Sequence, residues 1–296
     1  MNDIIEQRKK VYQEFPKENL IKDLSELVPS YKLSNEDYSA LQRVTKDYLL
    51  KSLNLSYKQK FIWEDDFLEK NSDFIMNLPN KTPNGIIKPK SELIKEYNDI
   101  QKVLNDIMIK LKIFSYFTKF TPINIRFKPS TELKEVESRP YFTGKHHSDA
   151  WVGHKGDCQL LIGVLGDVNN NTVEFNEPLN VHNNYLSVAE SFDEGNTRYG
   201  GFKKIGLLRE QTLAIMDHAC LHRTFIKNNS KPRLSIDIAS MVDSKFSHVF
   251  DDNYNEDYID YYSNNVIKNI GSTNTYEVKE SIKDDSKNTI IKIKTK

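Results

Sequence analysis

The chain has 296 residues, with 42 basic and 42 acidic side chains, 38% hydrophobic residues and two cysteines. That length suits one large embellished domain or two modest ones, and zero formal charge gives no general pull toward nucleic acid or anionic membrane, though a local basic cleft stays open. Cys158 and Cys220 are too few and too isolated for a disulfide framework or a structural zinc site.

The opening run, Met1–Arg8, has no apolar signal core. Ile4–Phe15 is amphipathic, and Glu18–Leu27 places Leu20, Ile21, Leu24 and Leu27 at helical spacing. Ser34, followed by Glu36 and Asp37, reads as a helix entry whose helix runs to about Leu55. Ser91–Leu111 is the strongest helical pattern, with Ser91 as its cap and Ile94, Tyr97, Ile100, Val103, Leu104, Ile107 and Leu111 as a buried stripe. From about Phe114 short β-rich runs replace the helical period. Strands are expected near Ile123–Phe127, His147–Val152, Cys158–Leu165, Thr172–Phe175, Leu213–Met216 and Leu234–Ser240. Leu160–Leu165, the most apolar run, is strand-sized and too short to cross a bilayer. Asn183–Gly206 reads as a long loop of the kind that forms lids or binding elements. After about Asn269 the chain is rich in Lys, Ser and Asn, with an edge strand or frayed end at Thr289–Ile293. Strands following a helical segment suggest a sandwich or jelly roll with helices on one face.

Four pieces of the β-rich half belong together. In His147-Ser148-Asp149, residues i and i+2 of a strand leave the same face, so an imidazole and a carboxylate can meet one metal ion. His222 follows the apolar run Leu213–Met216. The turn-forming stretch 227–232 then reverses the chain and brings Arg233 back toward His222. Ser235 shares a strand face with Arg233. Two imidazoles and one carboxylate on one face of a metal suit a non-haem iron site, and an Arg–Ser pair suits capture of a carboxylate. His146 would point to the opposite strand face, and His154 reads as a surface or supporting group. His218 lacks the ten-residue gap to Arg233 that His222 has.

His147-x-Asp149, His222, ten residues and Arg233-x-Ser235 resemble the signature of the Fe(II)/2-oxoglutarate-dependent dioxygenases, over roughly 114–242. The resemblance implies a double-stranded β-helix (a cupin-like jelly roll) buttressed by helices. The expected fold is mainly β with an α+β organisation: a helical region at 1–112, a catalytic core at 113–245 and a partly flexible extension at 246–296, read as one structural unit. It further implies that His147, Asp149 and His222 ligate Fe(II) and that Arg233, with Ser235, holds the distal carboxylate of 2-oxoglutarate. Thr224 matches a cosubstrate-contacting hydroxyl of the phytanoyl-CoA hydroxylase branch, although Asn169–Asn171 stands where that branch often has Gly-Ser-His. A carboxylate at Asp149, rather than a small residue leaving room for a halide, implies hydroxylation, desaturation or ring closure using O2, with release of succinate and CO2.

Arg126, alternating with apolar neighbours, is expected either to face the interior as a substrate contact or to form a structural ion pair. Arg139, Tyr141 and Lys145 before the motif, Trp151 after it, and Arg198 and Tyr199 in the long loop suggest a small polar or anionic metabolite, such as an amino acid or a sugar-linked compound. The leading expectation is a cytoplasmic oxygenase acting on such a molecule, with no nucleic-acid or membrane partner. A protein or peptide hydroxylase of the same fold, and a non-catalytic cupin-like binding protein, are the alternatives.

Overall fold

The computed structural model describes residues 4–21, 25–131, 139–153, 157–243, 261–279 and 290–295. The first helix, α1, spans Ile4–Val11 and stops short of Phe15. Its end tightens through a bond from the Tyr12 amide to the Lys9 carbonyl, and Pro16 cannot continue it. Among the described residues of Glu18–Leu27 no helix follows. Asn19 takes a left-handed conformation, the Ile21 amide donates to the Ser30 carbonyl, and Leu20 bridges Tyr31 in β1 (Ser30–Lys32). The apolar spacing there serves an edge pairing, and Leu24 lies outside the described residues.

Helix α2 spans Asn35–Tyr57, and the Ser34 hydroxyl accepts from the Asp37 amide as its cap. Two short helices, α3 (Phe67–Lys70) and α4 (Ser72–Met76), precede α5 (Ile94–Lys110). Ser91 does not cap α5. It opens a 3-10 turn, Ser91–Leu93, and its hydroxyl donates to Glu92. The expected stripe is present, with Tyr97, Ile100, Leu104 and Ile107 buried.

Among the described residues ten strands follow: β2 (Phe117–Phe120), β3 (Asn124–Lys128), β4 (Cys158–Gly166), β5 (Asn171–Leu179), β6 (Gly201–Leu207), β7 (Thr212–Asp217), β8 (Leu221–Ile226), β9 (Arg233–Val242), β10 (Tyr262–Ser263) and β11 (Asn274–Lys279). An eleventh, β12 (Ile290–Thr295), pairs with β11. The fold is mostly β, and the sheets are antiparallel. Among the described residues a seven-stranded sheet runs β1-β7-β4-β9-β2-β10, with β3 also paired to β9, and a three-stranded sheet runs β6-β5-β8.

Strand alternation gives the large sheet two different faces. Leu160, Ile162 and Val164 of β4, Leu213 and Ile215 of β7, and Leu234, Ile236 and Ile238 of β9 pack with Leu41 and Leu49 of α2 and Ile100 and Leu104 of α5. Each such side chain contributes about 1.5–3 kcal/mol on burial. The opposite face turns Leu161, Ala214 and Met216 toward Phe175 and Leu221 of the small sheet. On β9 this inner face carries the polar residues Arg233, Ser235 and Asp237.

Helix α1 is fixed by a buried ion cluster. Arg8, fully buried, donates through Nε to both Asp217 carboxylate oxygens at 3.0 and 2.9 Å and through Nη2 to the Asp157 carbonyl at 2.8 Å. The Tyr12 hydroxyl donates to Asp217 at 2.7 Å. Arg8→Met leaves a buried carboxylate without its cation and is expected to cost about 3–5 kcal/mol, read from urea unfolding. A cost below about 1 kcal/mol would mean that α1 does not dock through this cluster.

Candidate metal centre

His147 and His222 are directly opposed in an isolated antiparallel bridge at the β8 edge of the small sheet. The His147 amide donates to the His222 carbonyl at 2.9 Å and the His222 amide to the His147 carbonyl at 2.8 Å. Such a pair sends both imidazoles from the same sheet face. Beyond His147 the chain does not continue as the expected strand to Val152. Ser148 accepts from the Ala150 amide and donates to the His218 carbonyl, starting a 3-10 turn at Asp149–Val152 that Gly153 closes with positive φ. Asp149 therefore reaches the imidazoles as the first residue of that turn, not by strand alternation.

The result is a buried His147–Asp149–His222 triad whose candidate ligand atoms all lie within 4.8 Å of one another. Asp149 Oδ1 stands 3.5 Å from His222 Nε2 and 3.9 Å from His147 Nε2. His147 Nδ1 lies 2.8 Å from the Lys145 carbonyl, so Nδ1 donates and Nε2 keeps its lone pair toward the triad. Burial, together with the His222 ring, holds the His147 imidazole down at about 3, in the neutral form a metal requires. Phe192 stacks on the His147 ring at 4.1 Å between centroids. Two nitrogens and one carboxylate oxygen on one face fit a divalent iron ion that keeps open positions.

A basic end of the inter-sheet space lies along β9 and β3. Their register sets Arg233 opposite Lys128 and Ser235 opposite Arg126, and all four share the inner face. Arg233 is 1% and Lys128 6% exposed. Lys128 Nζ donates to the Thr143 hydroxyl at 3.0 Å, and the Thr143 and Thr224 hydroxyls are 3.3 Å apart. Thr224 lies two residues beyond His222 on β8 and so faces the same way. Two cations placed opposite each other repel, and a carboxylate between them would offset that cost.

Lys128, Thr143 and Phe192 were not singled out by sequence. Lys128 carries a readable signal, being two residues after Arg126 on one strand face, but the expected strand stopped at Phe127. Of the two readings of Arg126, the structure shows the ion pair. Its Nε and Nη2 donate to Asp237 at 3.0 and 3.3 Å, and Nη1 donates to the Asn84 carbonyl.

Two expected substrate contacts are structural instead. Trp151 is fully buried, its indole N–H donates to the Tyr185 carbonyl, and a Cβ at Gly195 would meet its ring at 2.3 Å. Arg198 donates to the Glu194 carboxylate and to the Asn184, Ser187 and Val188 carbonyls, which ties the loop together. Tyr199 donates to Asn196, and Tyr141, 38% exposed, donates to the Ala189 carbonyl. Arg139 donates to the Pro83 carbonyl, and Lys145 pairs with Asp193. The expected loop at Asn183–Gly206 is a packed wall whose last residues belong to β6, because its own side chains satisfy its backbone. His154 lies outside the described residues.

Behind the triad, on the far face of the small sheet, Glu174 receives Arg223, His146 and Asn176 and pairs with Lys204. Burial works to raise the Glu174 carboxyl, but Arg223, Asn176 and His146 overcome it and bring it to about 2. A carboxyl depressed below its unfolded value contributes stability above about pH 4.3 that is lost as pH falls through 2. Glu174→Gln is therefore expected to cost about 1–3 kcal/mol at neutral pH, with the gap to the parent closing below about pH 4 in a denaturation series. A pH-independent gap would show that the ion pairs are not its origin.

Among the described residues no helix is long and apolar enough to cross a membrane. No family profile and no curated protein matches the chain. Among solved structures it is similar to a non-heme alpha-ketoglutarate-dependent carbocyclase of nogalamycin biosynthesis, SnoK, at 11% identity over 78% of this chain and 85% of that one, TM-score 0.42. It is also similar to AviO1 of Streptomyces viridochromogenes, at 14% identity over 73% and 89%, TM-score 0.40. A non-heme monooxygenase, ThoJ, aligns at 9% identity over 81% and 77%, TM-score 0.38.

Proposed function

We propose that the chain is an Fe(II)- and 2-oxoglutarate-dependent oxygenase that hydroxylates an unactivated C–H bond of a small polar metabolite. The observation that carries this reading is the buried triad with the Arg233–Lys128 pair set along the same inter-sheet space. Two facing sheets, ordered β3-β9-β4-β7 and β8-β5-β6 with the His147 bridge beside β8, support a double-stranded β-helix for the core at 113–245.

His147, Asp149 and His222 would hold Fe(II) and leave its remaining positions to the cosubstrate and O2. Bound there, iron with 2-oxoglutarate and O2 supplies the oxidant for C–H cleavage and releases succinate and CO2. Arg233 and Lys128 would take the cosubstrate's distal carboxylate, with Ser235 and Thr224 donating hydroxyl hydrogen bonds. Phe192 and the wall at 182–200 shield the His147 side of the site from water, and that closed side favours a small molecule over a peptide.

The test is anaerobic addition of Fe(II) and 2-oxoglutarate, followed by oxygenation. A visible charge-transfer band and stoichiometric succinate are expected. Absence of both, with intact protein, would sink the reading.

A further inference from the structure

A second polar cluster lies along the same inner face, beyond the cosubstrate end. Asp237, 2% exposed, accepts from Arg126 at 3.0 and 3.3 Å, from Asn124 Nδ2 at 2.9 Å and from Gln159 Nε2 at 2.9 Å. Its two oxygens are thus taken up by three neighbouring side chains. Asp237 follows Arg233 by four residues of β9, a distance of about 13 Å along the strand.

The segment 85–88 runs beside β3. The Ile87 amide donates to the Ile125 carbonyl at 2.8 Å, the Phe127 amide donates to the Gly85 carbonyl at 2.9 Å, and Ile86 bridges Arg126 antiparallel. Continuing that register sets Lys88 opposite Asn124, and the following Pro89 favours an extended Lys88. Lys88 therefore leaves on the inner face, where Ile86, Arg126 and Asn124 also lie. Its ammonium is within electrostatic range of Asp237 and Arg126 but has no hydrogen bond or ion pair among the described residues. Burial pushes its pKa down, which expresses the cost of a half-buried charge lacking a contact partner.

Among the described residues, Asp237 is the carboxylate shared by Lys88 and Arg126, which together carry one more positive charge than it does. An arriving anion would satisfy the ammonium and balance the cluster. Resting on the oxygenase reading of the triad, we propose that Lys88 is a specificity-determining residue that captures a carboxylate or phosphate of the substrate at the end of the inter-sheet space remote from Arg233. Arg126, held by Asp237, positions that capture and completes the anion's surroundings.

The test uses the protein loaded with Zn(II) and 2-oxoglutarate, a redox-silent state. A thermal-shift and calorimetric panel sets amino acids with side-chain carboxylates and sugar phosphates beside their amides and unphosphorylated sugars. The expected binders carry the oxyanion, and the carboxylate and phosphate arms separate the two sources. Lys88→Met is expected to weaken binding about ten- to a hundredfold, while Lys88→Arg restores most of it. Binding of 2-oxoglutarate itself stays unchanged in both variants. Equal binding of the neutral counterparts, no oxyanion binder, or an affinity indifferent to Lys88→Met overturns the proposal. Should the parent bind no 2-oxoglutarate, the oxygenase reading fails instead, and inorganic phosphate titrated into metal-free protein and its Lys88→Met variant still decides the anion site.

Discussion

His147→Ala and His222→Ala are each expected to weaken Fe(II) binding by more than about a hundredfold and to abolish succinate formation. Losing a residue that merely orients a metal ligand costs about 10–100-fold, and removing the ligand itself must cost more. The two substitutions also differ in a way that tests the geometry. His147 orders its ring through the Lys145 carbonyl at 2.8 Å and the Phe192 stack, whereas His222 Nδ1 stands 3.4 Å from the Cys220 carbonyl. The backbone bridge between the two residues survives either change, so the fold should persist with its circular dichroism unaltered. Equilibrium titration with a metal-sensitive dye measures the loss. Parental affinity in either variant would mean that the cluster is not the metal site.

Arg233→Met should leave metal affinity near the parental value and raise the dissociation constant for 2-oxoglutarate about a hundredfold, the worth of a charge-assisted, doubly hydrogen-bonded carboxylate contact. Arg233→Lys should recover only part of this, because an ammonium cannot present the guanidinium fork. Lys128 lies opposite on β3 and keeps one cation in place, so the loss is partial rather than complete. Anaerobic titration of the Fe(II)–2-oxoglutarate band reads the effect. An unchanged constant would move the cosubstrate's carboxylate elsewhere.

The helices and strands legible in the sequence are those where one face is uniformly apolar. The stripe of α5 and the run of β4 are written by burial alone. The strands that escaped, β1, β2, β6, β8, β10 and β11, are short or half-exposed, so their pairing partners rather than their own residues define them. The triad was readable because its spacing survives any local conformation, even though the reason given for Asp149 was wrong. A strand was expected where the capping chemistry of Ser148 and the positive φ of Gly153 impose a turn. Trp151 and Arg198 misled because a side chain's chemistry does not announce whether its donors are already engaged. Lys128 and Lys88 went unread for the opposite reason: each becomes distinctive only through the residue opposite it on a neighbouring strand.

The Arg8–Asp217 contact joins residues 209 positions apart. Asp217 also accepts from the Ala219 amide, which shapes the turn leading to His222. On a ribosome adding about 5–20 residues per second, α1 emerges about 10–40 s before its counter-charge exists. During that interval the helix has only eight residues and no docking partner, too little to hold its own shape. Docking of the first helix must therefore wait for Asp217, the same residue that shapes the turn leading to His222.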